Sequence, residues 1–249
     1  MRVSVITVSY NAVNTIEDTI RSVVSQDYHD IEYILVDGFS CDGTVEIINK
    51  YSQFIYNFIS EPDSGIYDAM NKGIFNATGD IISILNADDV YATESVLSDV
   101  VKVFETKGVD VVYGNVNMVA RDDLTRIIRF WPTSSFFPGS FRKAWHPPHP
   151  GLFVASKVYE MYGAYDLDYG VSADFEFMLR IFEKYNVSSF CLDKLMVKMR
   201  YGGESTKSIR NIFNGNINIY KAFRKNSISY PFYYPVIRFI NKLFQFFYR

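Results

Sequence analysis

The first hundred residues alternate short β-branched runs with segments of helical periodicity. Apolar runs at Val3–Val8, Tyr33–Val36 and Ile81–Leu85 are each followed by a segment whose apolar residues recur every three or four positions. This order predicts an α/β fold, with a mostly parallel central sheet and helices on both faces. The alternation weakens beyond Val111–Gly114, and the proline-rich stretch Thr133–Pro150 predicts a long loop.

Charge is distributed unevenly along the chain. The net charge is −3, but the last acidic residue is Glu204, and eight lysines and arginines follow it. The residues before this basic tail therefore carry a net charge of −11. An acidic body argues against nucleic acid as a partner. Two separated cysteines, Cys41 and Cys191, indicate neither a disulfide framework nor a zinc site.

The basic tail, residues 206–249, predicts an amphipathic helical segment. From Val236 onward a wide aromatic and aliphatic surface carries a narrow stripe of basic and amide residues. Such helices lie in the headgroup layer of a membrane. Packing on the domain or in a homodimer interface is the alternative. The sequence contains no run of 18 apolar residues, so a transmembrane helix is not predicted. The apolar run Val3–Val8 has the features of a strand rather than of a signal peptide.

Polar residues follow three of the predicted strands. Tyr10-Asn11 comes after the strand Val3–Val8, Asp37 after Tyr33–Val36 and Asp88-Asp89 shortly after Ile81–Leu85. In an open parallel sheet, ligands bind beyond the carboxyl ends of the strands. Carboxylates repel a bare diphosphate, so this edge would need Mg²⁺ or Mn²⁺ to accept one. Taken alone, however, Asp88-Asp89 is more typical of a solvated turn that ends a strand.

Two common nucleotide-binding motifs are absent from the sequence. No G-x-G-x-x-G turn follows the first strand, and no G-x-x-x-x-G-K-[ST] loop occurs. A dinucleotide-dependent dehydrogenase and a P-loop NTPase are therefore disfavoured.

Four segments in register resemble the family 2 glycosyltransferases, which have the GT-A fold, a Rossmann-like architecture. They are Ser4-Val-Ile-Thr-Val-Ser-Tyr-Asn11, Val36-Asp-Gly-Phe-Ser-Cys-Asp-Gly-Thr44, Asp63-Ser-Gly-Ile-Tyr-Asp-Ala-Met-Asn-Lys-Gly73 and Leu85-Asn-Ala-Asp-Asp89. The resemblance implies a domain over residues 1–205, with a nucleotide-sugar-binding half at 1–115 and an acceptor half at 116–205.

The resemblance assigns roles to residues at the nucleotide end of the site. Tyr10 would stack on the base and Asp37 would hydrogen-bond its edge, although Gly38 stands where many relatives have a second acidic residue. The D-x-D element falls on Asn86-Ala87-Asp88. It makes Asn86 a ribose partner, and Asp88, with Asp89, a ligand of Mn²⁺ or Mg²⁺.

The same resemblance places further residues near the donor. Asn11 and Ala87 belong to its binding segments, and Asp63 would face the sugar or the diphosphate. Lys72 is a candidate phosphate partner, but it could equally lie on the exposed face of a helix.

The acceptor half should supply a general base, which takes the proton of the attacking hydroxyl in an inverting transfer. Asp174 matches the second acid of the family's acidic pair, whose first position is Ala173 here. Asp174 could also simply cap a helix. Glu176 is the second candidate for the base.

Three further residues are implied at the acceptor pocket and the closing loop. His149 would border the acceptor, although packing is the alternative. Arg200 opens a segment through Ser205 that would close over the diphosphate, or would form a surface turn. Arg180, on the helix that follows Asp174, is placed with this group.

Together these residues imply an inverting glycosyltransferase. It would move a hexose or N-acetylhexosamine from a UDP-linked donor to a polyprenyl-diphosphate-linked saccharide in O-antigen or capsule assembly. It would act at the cytoplasmic face of the cell membrane, as a peripheral protein. The alternatives are a catalytically degenerate membrane-bound scaffold of a polysaccharide complex, and a sugar-nucleotide pyrophosphorylase. The latter would need a glycine-rich basic loop that Ser9-Tyr10-Asn11-Ala12 does not provide.

Overall fold

A computed structural model describes residues 1–202 and 209–244 of the chain. The described strands are β1 Val3–Ser9, β2 Ile31–Asp37, β3 Asn57–Ser60, β4 Ile81–Ile84, β5 Asp89–Tyr91, β6 Val111–Val119, β7 Ile127–Trp131, β8 Leu152–Ala155 and β9 Ser189–Arg200. The described helices are α1 Ile16–Val24, α2 Thr44–Asn49, α3 Ile66–Asn76, α4 Val96–Lys107, α5 Ser156–Tyr162, α6 Ala173–Leu179, α7 Ile209–Lys225 and α8 Tyr234–Phe244.

All nine strands belong to one sheet, in the order β3-β2-β1-β4-β8-β6-β9-β5, with β7 paired to β6. Strands β1 to β4 run parallel, as the alternating sequence predicts. Strand β8 is antiparallel to both of its neighbours, and β5 and β7 are antiparallel to theirs. The α/β fold class is thus confirmed, with a sheet that is parallel in its first half and mixed in its second.

Close packing of α3 on β1 depends on one glycine. A Cβ atom at Gly73 would overlap the side chain of Ile6, which is fully buried. The absent side chain lets the helix approach the strand, and this fixes where the first turn of α3 lies relative to the strand ends. Every residue of β1 is buried, so the sheet edge is held by a rigid core.

Part of the basic tail is packed into the domain. Ile219, Ala222 and Phe223 of α7 are buried, as is Tyr234 at the start of α8. The ring of Phe223 lies 5.9 Å from that of Phe175 in α6, centroid to centroid. Within residues 1–202 and 209–244, no helix combines the length and the apolar character that crossing a bilayer requires.

Candidate functional site

The carboxyl ends of β1, β2 and β4 meet at one edge of the sheet. Ser9 pairs with Asp37 in the parallel register, and the amide of Gly38 donates to the carbonyl of Ser9 at 2.8 Å. On the other side of β1, the amide of Ala87 donates to the carbonyl of Val8 at 3.1 Å. The segments carrying Tyr10, Gly38 and Ala87 are therefore neighbours, as the sequence predicts.

Asp37 is fully buried and accepts four hydrogen bonds from the protein itself. Its donors are the hydroxyls of Ser9, Ser40 and Ser60 and the amide of Ser40, at 2.5–3.0 Å. A carboxylate with both oxygens engaged in this way has no hydrogen-bonding capacity left for a base. The predicted contact between Asp37 and the base edge does not fit this geometry. Asp37 instead holds the loop after β2 in place.

Asn11 and Tyr10 are held against that loop. The amide of Asn11 donates to Ser40 Oγ at 2.8 Å, and Asn11 Oδ1 accepts from the amide of Cys41 at 3.0 Å. Asn11 has a φ of 48°, a left-handed conformation that asparagine tolerates better than most residues. This turn leaves the ring of Tyr10 68% exposed at the sheet edge, so its face is available for stacking.

Asp63 reaches the same place from the loop between β3 and α3. A Cβ atom at Gly38 would lie 2.5 Å from Asp63 Oδ2 and 3.4 Å from the ring of Tyr10. The carboxylate of Asp63 therefore occupies the space that a side chain at position 38 would need. Its other oxygen accepts from the amide of Gly65 at 2.8 Å.

Asn86 to Asp88 lie in the turn between β4 and β5, and Asp89, the first residue of β5, is fully buried. Burial raises the pKa of Asp89 well above its usual range, and the neighbouring charge of Asp88 raises it further. Asn86 Oδ1 and Asp89 Oδ1 are both buried and accept no hydrogen bond. Unpaired buried acceptors are costly unless something positive satisfies them.

These oxygens fit a divalent cation bound beside Asp88. Mg²⁺ and Mn²⁺ prefer carboxylate and amide oxygens, and they commonly take one or two protein carboxylates together with phosphate oxygens. Among the described residues, no group of three or more His, Cys, Asp and Glu side chains forms a metal site by itself. A metal here would accordingly complete its coordination with the ligand.

Arg200 lies beneath this turn and is 5% exposed. Its guanidinium donates to the carbonyl of Asp88 at 2.8 Å, to the carbonyl of Arg121 at 3.1 Å and to the carboxylate of Asp18 at 2.5 Å. Its predicted role at the opening of a closing loop does not fit, because all these partners belong to the folded domain. Of the predicted closing segment, residues 203–205 lie outside the described residues.

Asp174 lies half-buried at the start of α6, next to the first turn of α3. The phenol of Tyr67 lies close to its carboxylate, whose Oδ1 accepts from the amide of Phe175 at 2.7 Å. Burial, together with that negative charge, raises the pKa of Tyr67 well above its usual range. His149 is buried near the same charge, and its Nε2 lies 2.7 Å from the hydroxyl of Tyr165. Burial lowers the pKa of His149, which favours the neutral ring.

Glu176 lies within the protein core, and the half-buried Arg180 pairs with it instead of facing an acceptor. Glu176 is fully buried, accepts from Asn226 Nδ2 at 3.0 Å and pairs with Arg180 at 3.1 Å. Arg180 also donates to the carbonyl of Ala164 at 2.6 Å, just beyond α5. These contacts explain both residues structurally, because a buried and paired carboxylate is unavailable to a substrate.

Lys72 is likewise engaged within the protein. Its ammonium donates to the carbonyl of Pro62 at 2.9 Å and pairs with Glu61 at 2.8 Å and Asp68 at 3.7 Å. These contacts fasten the loop that carries Asp63 onto α3. These contacts agree with the alternative interpretation, in which Lys72 lies on the surface of the helix. They do not agree with a role as a phosphate partner.

Sequence reasoning did not assign Tyr67 or the supporting role of Arg200. Tyr67 lies inside the segment Asp63–Gly73, so the sequence indicated that it is near the site. The sequence could not indicate that its side chain faces Asp174. Arg200 lies 112 residues from Asp88, and only the pairing of β9 with β5 brings the two together.

Comparison with solved structures identifies the class of the fold. The chain superposes on Staphylococcus aureus TarS, solved as residues 1–349 with UDP-GlcNAc, with a TM-score of 0.71 and 19% identity over 91% of this chain and 65% of that one. It also matches the mannosyltransferase PcManGT of Pyrobaculum calidifontis, solved with GDP-Man and Mn²⁺ (TM-score 0.64, 20% identity, 95% of this chain and 68% of that one). Both likenesses show the GT-A fold.

Sequence comparison then identifies the family. Residues 4–156 match the profile described as Glycosyl transferase family 2. The chain is 35% identical over 184 residues to an uncharacterized glycosyltransferase of Mycobacterium tuberculosis, covering 72% of this chain and 68% of that protein. It is 29% identical over 190 residues to a PGL/p-HBAD biosynthesis glycosyltransferase of Mycobacterium bovis, covering 72% and 69%. The chain belongs to glycosyl transferase family 2.

Proposed function

We propose that this protein is a metal-dependent, inverting glycosyltransferase. It transfers a hexose or N-acetylhexosamine from a UDP-linked donor to a hydroxyl of a polyprenyl-diphosphate-linked saccharide, in O-antigen or capsular polysaccharide assembly. The observation that carries this proposal is that two carboxylates lie near the segment that joins β3 to α3. Asp63 lies beside the exposed Tyr10 ring, and Asp174 contacts Tyr67 in the first turn of α3.

The donor end is formed by Tyr10 and the turn containing Asp88. An exposed aromatic ring offers a stacking face for a base. Asn86, Asp88 and Asp89 would hold Mn²⁺ or Mg²⁺, which would offset negative charge on the departing diphosphate. TarS has been solved with UDP-GlcNAc, and PcManGT with GDP-Man and Mn²⁺, and both complexes support a nucleotide-sugar donor and a divalent metal.

Asp174 is the group that we assign as general base. As the acceptor hydroxyl attacks the anomeric carbon and the bond to the nucleotide diphosphate breaks, the carboxylate of Asp174 accepts the hydroxyl proton. The amide of Phe175 donates to Oδ1 of that carboxylate at 2.7 Å, and the phenol of Tyr67 lies beside it. The buried His149 lies near the same charge, and its bond to Tyr165 places it behind the site, where it would support the acceptor end rather than contact the acceptor.

We also propose that the protein acts at the cytoplasmic face of the cell membrane. Phe232, Val236, Phe239 and Ile240 are 92%, 60%, 63% and 41% exposed. The opposite side of α8 faces the domain, where Asn241 donates toward the carbonyl of Lys143 at 3.3 Å. A helix that turns apolar residues outward within a basic segment of the chain is suited to a lipid surface. A lipid-linked acceptor would be presented at that surface.

One assay tests the activity. The full chain is incubated with a panel of nucleotide sugars, a synthetic lipid-diphosphate saccharide and Mn²⁺, and products are read by mass and by anomeric coupling. We expect transfer of the sugar from a UDP-linked donor with inversion at the anomeric carbon. Release of diphosphate from a nucleoside triphosphate and a sugar phosphate would instead identify a pyrophosphorylase. No turnover with any donor would favour the scaffold alternative.

A further inference from the structure

Gly38 and Asp63 are in close contact at the sheet edge, where a side chain at position 38 would collide with the carboxylate of Asp63. We propose that Asp63 reads the donor base and selects bases that present a ring N–H, uracil and guanine, over cytosine and adenine. This inference rests on the proposed function, because it assumes that a nucleotide stacks on Tyr10.

The carboxylate that ends β2 cannot do this work. Asp37 is fully buried and receives four hydrogen bonds from three serines. Reading a base with Asp37 would require breaking contacts that hold the loop together. Gly38 contributes no side chain, so the space beside Tyr10 is left to a residue from another loop.

One carboxylate oxygen of Asp63 is held by the protein, and the other is available to a ligand. Its Oδ1 accepts from the amide of Gly65, and this turn fixes the orientation of the carboxylate. Lys72 fastens the same loop through Glu61 and the carbonyl of Pro62. Within the described part of the chain, Oδ2 of Asp63 receives no hydrogen bond, and it lies over Gly38.

The chemistry of the bases gives this oxygen a selective role. A carboxylate oxygen is an acceptor only. Uracil N3–H and guanine N1–H are donors on the edge of the ring, whereas cytosine and adenine present a ring-nitrogen lone pair at the equivalent position. If a base lying on Tyr10 turns this ring nitrogen toward Asp63, uracil and guanine are bound and the lone pair of cytosine or adenine is repelled. The amino groups of cytosine and adenine lie beside that position, so they donate to Asp63 only if the base shifts.

The test is titration calorimetry of the full-length protein with UDP, GDP, CDP and ADP in the presence of Mn²⁺. In Asp63→Asn, the side-chain oxygen still accepts from Gly65, so the amide nitrogen, a donor, replaces Oδ2. A hydrogen bond to a charged group contributes about 1.5–3 kcal/mol, so UDP and GDP should bind about 10- to 100-fold more weakly. CDP and ADP should not weaken.

Two further variants separate base reading from other effects. Gly38→Ala leaves Asp63 intact but pushes its carboxylate away, and should weaken UDP and GDP in the same selective way. Glu46→Gln makes the same chemical change on an exposed carboxylate of α2, and should leave the order of the four affinities unchanged.

Clear outcomes would overturn the inference. One is an Asp63→Asn variant that binds UDP and GDP as tightly as the unmodified chain does. Another is an Asp63→Asn variant in which the affinity for all four nucleotides falls equally. A third is a Gly38→Ala variant with unchanged selectivity among the four nucleotides. An unmodified chain that binds all four nucleotides equally would also overturn it. If the unmodified chain binds none of them, the proposed function itself fails.

Discussion

The guanidinium of Arg200 donates a hydrogen bond to the main-chain carbonyl of Asp88, with an N···O distance of 2.8 Å. The same group binds Asp18 in α1. The turn that would hold the metal is therefore supported from below by the last residue of β9. This contact fixes the main chain of Asp88 without using its carboxylate.

Replacing Arg200 with lysine should loosen the Asp88 turn. A single ammonium cannot reproduce the spread of a guanidinium that reaches three acceptors. We expect the free energy of unfolding to fall by about 1–3 kcal/mol, together with weaker Mn²⁺ binding, measured by denaturant titration and by metal titration. Arg21→Lys is the matched control, because Arg21 makes an exposed ion pair with Glu17, and such pairs contribute little. Unchanged metal affinity in Arg200→Lys would contradict the supporting role.

Asp88→Asn should abolish metal-dependent transfer while the fold survives. The substitution removes the negative charge on which a hard cation depends. We expect Mn²⁺ to raise the melting temperature of the unmodified chain and not that of the variant, measured by thermal unfolding with and without metal. Asp30→Asn, on an exposed carboxylate, is the control. Full activity in the presence of a chelator would refute the metal role.

The sequence predicted the donor half of the fold better than the rest. Strands β1 to β4 follow one another in the chain with parallel pairing, so local pattern was sufficient. The alternating pattern weakens beyond Val111–Gly114, yet strand β6 runs to Val119. Its partner β9 lies about 80 residues away, and a pairing at that distance leaves no local periodicity.

Prediction of the site differed from residue to residue for a similar reason. Motif position indicated that Asp37 and Asp63 belong to the same edge of the sheet. It could not show that three serines saturate Asp37, or that the missing Cβ of Gly38 makes room for Asp63. Glu176 was chosen for its nearness in sequence to Asp174, but two residues along a helix turn a side chain to another face.

Asp174→Asn should lower turnover by about 100-fold or more, as expected for loss of a general base, with nucleotide binding nearly intact. Steady-state kinetics and calorimetry separate the two effects. Asp168→Asn, on an exposed turn residue of the preceding segment, is the control. Glu176→Gln should instead lower the melting temperature, because it disturbs a buried pair with Arg180. Equal kinetic losses in the Asp168 and Asp174 variants would argue against the assignment.

His149 should make stability dependent on pH. Burial lowers its pKa in the folded state, so below about pH 6.5 the unfolded chain binds a proton that the folded chain does not. Stability is therefore lost as the pH falls from 6.5 toward the folded-state pKa. The slope for this one group is at most about 1.4 kcal/mol per pH unit. In His149→Gln the loss between pH 7.5 and 5.5 should be smaller, while the exposed His29→Gln should match the unmodified chain. Identical slopes in all three proteins would rule this out.

The exposed apolar surface at Phe232 and Phe239 should bind anionic membranes. Deleting the whole tail would also remove Tyr234, which is 1% exposed and packs against Phe223, so surface substitutions make the cleaner test. The double variant Phe232→Ser and Phe239→Ser should co-sediment less with vesicles containing anionic lipid, at an unchanged melting temperature. Phe54→Ser, on a distant exposed aromatic residue, is the control. If the double variant sediments normally, membrane binding by this surface is refuted. If instead it changes a dimer into a monomer in solution, the surface is an interface between two copies of the chain.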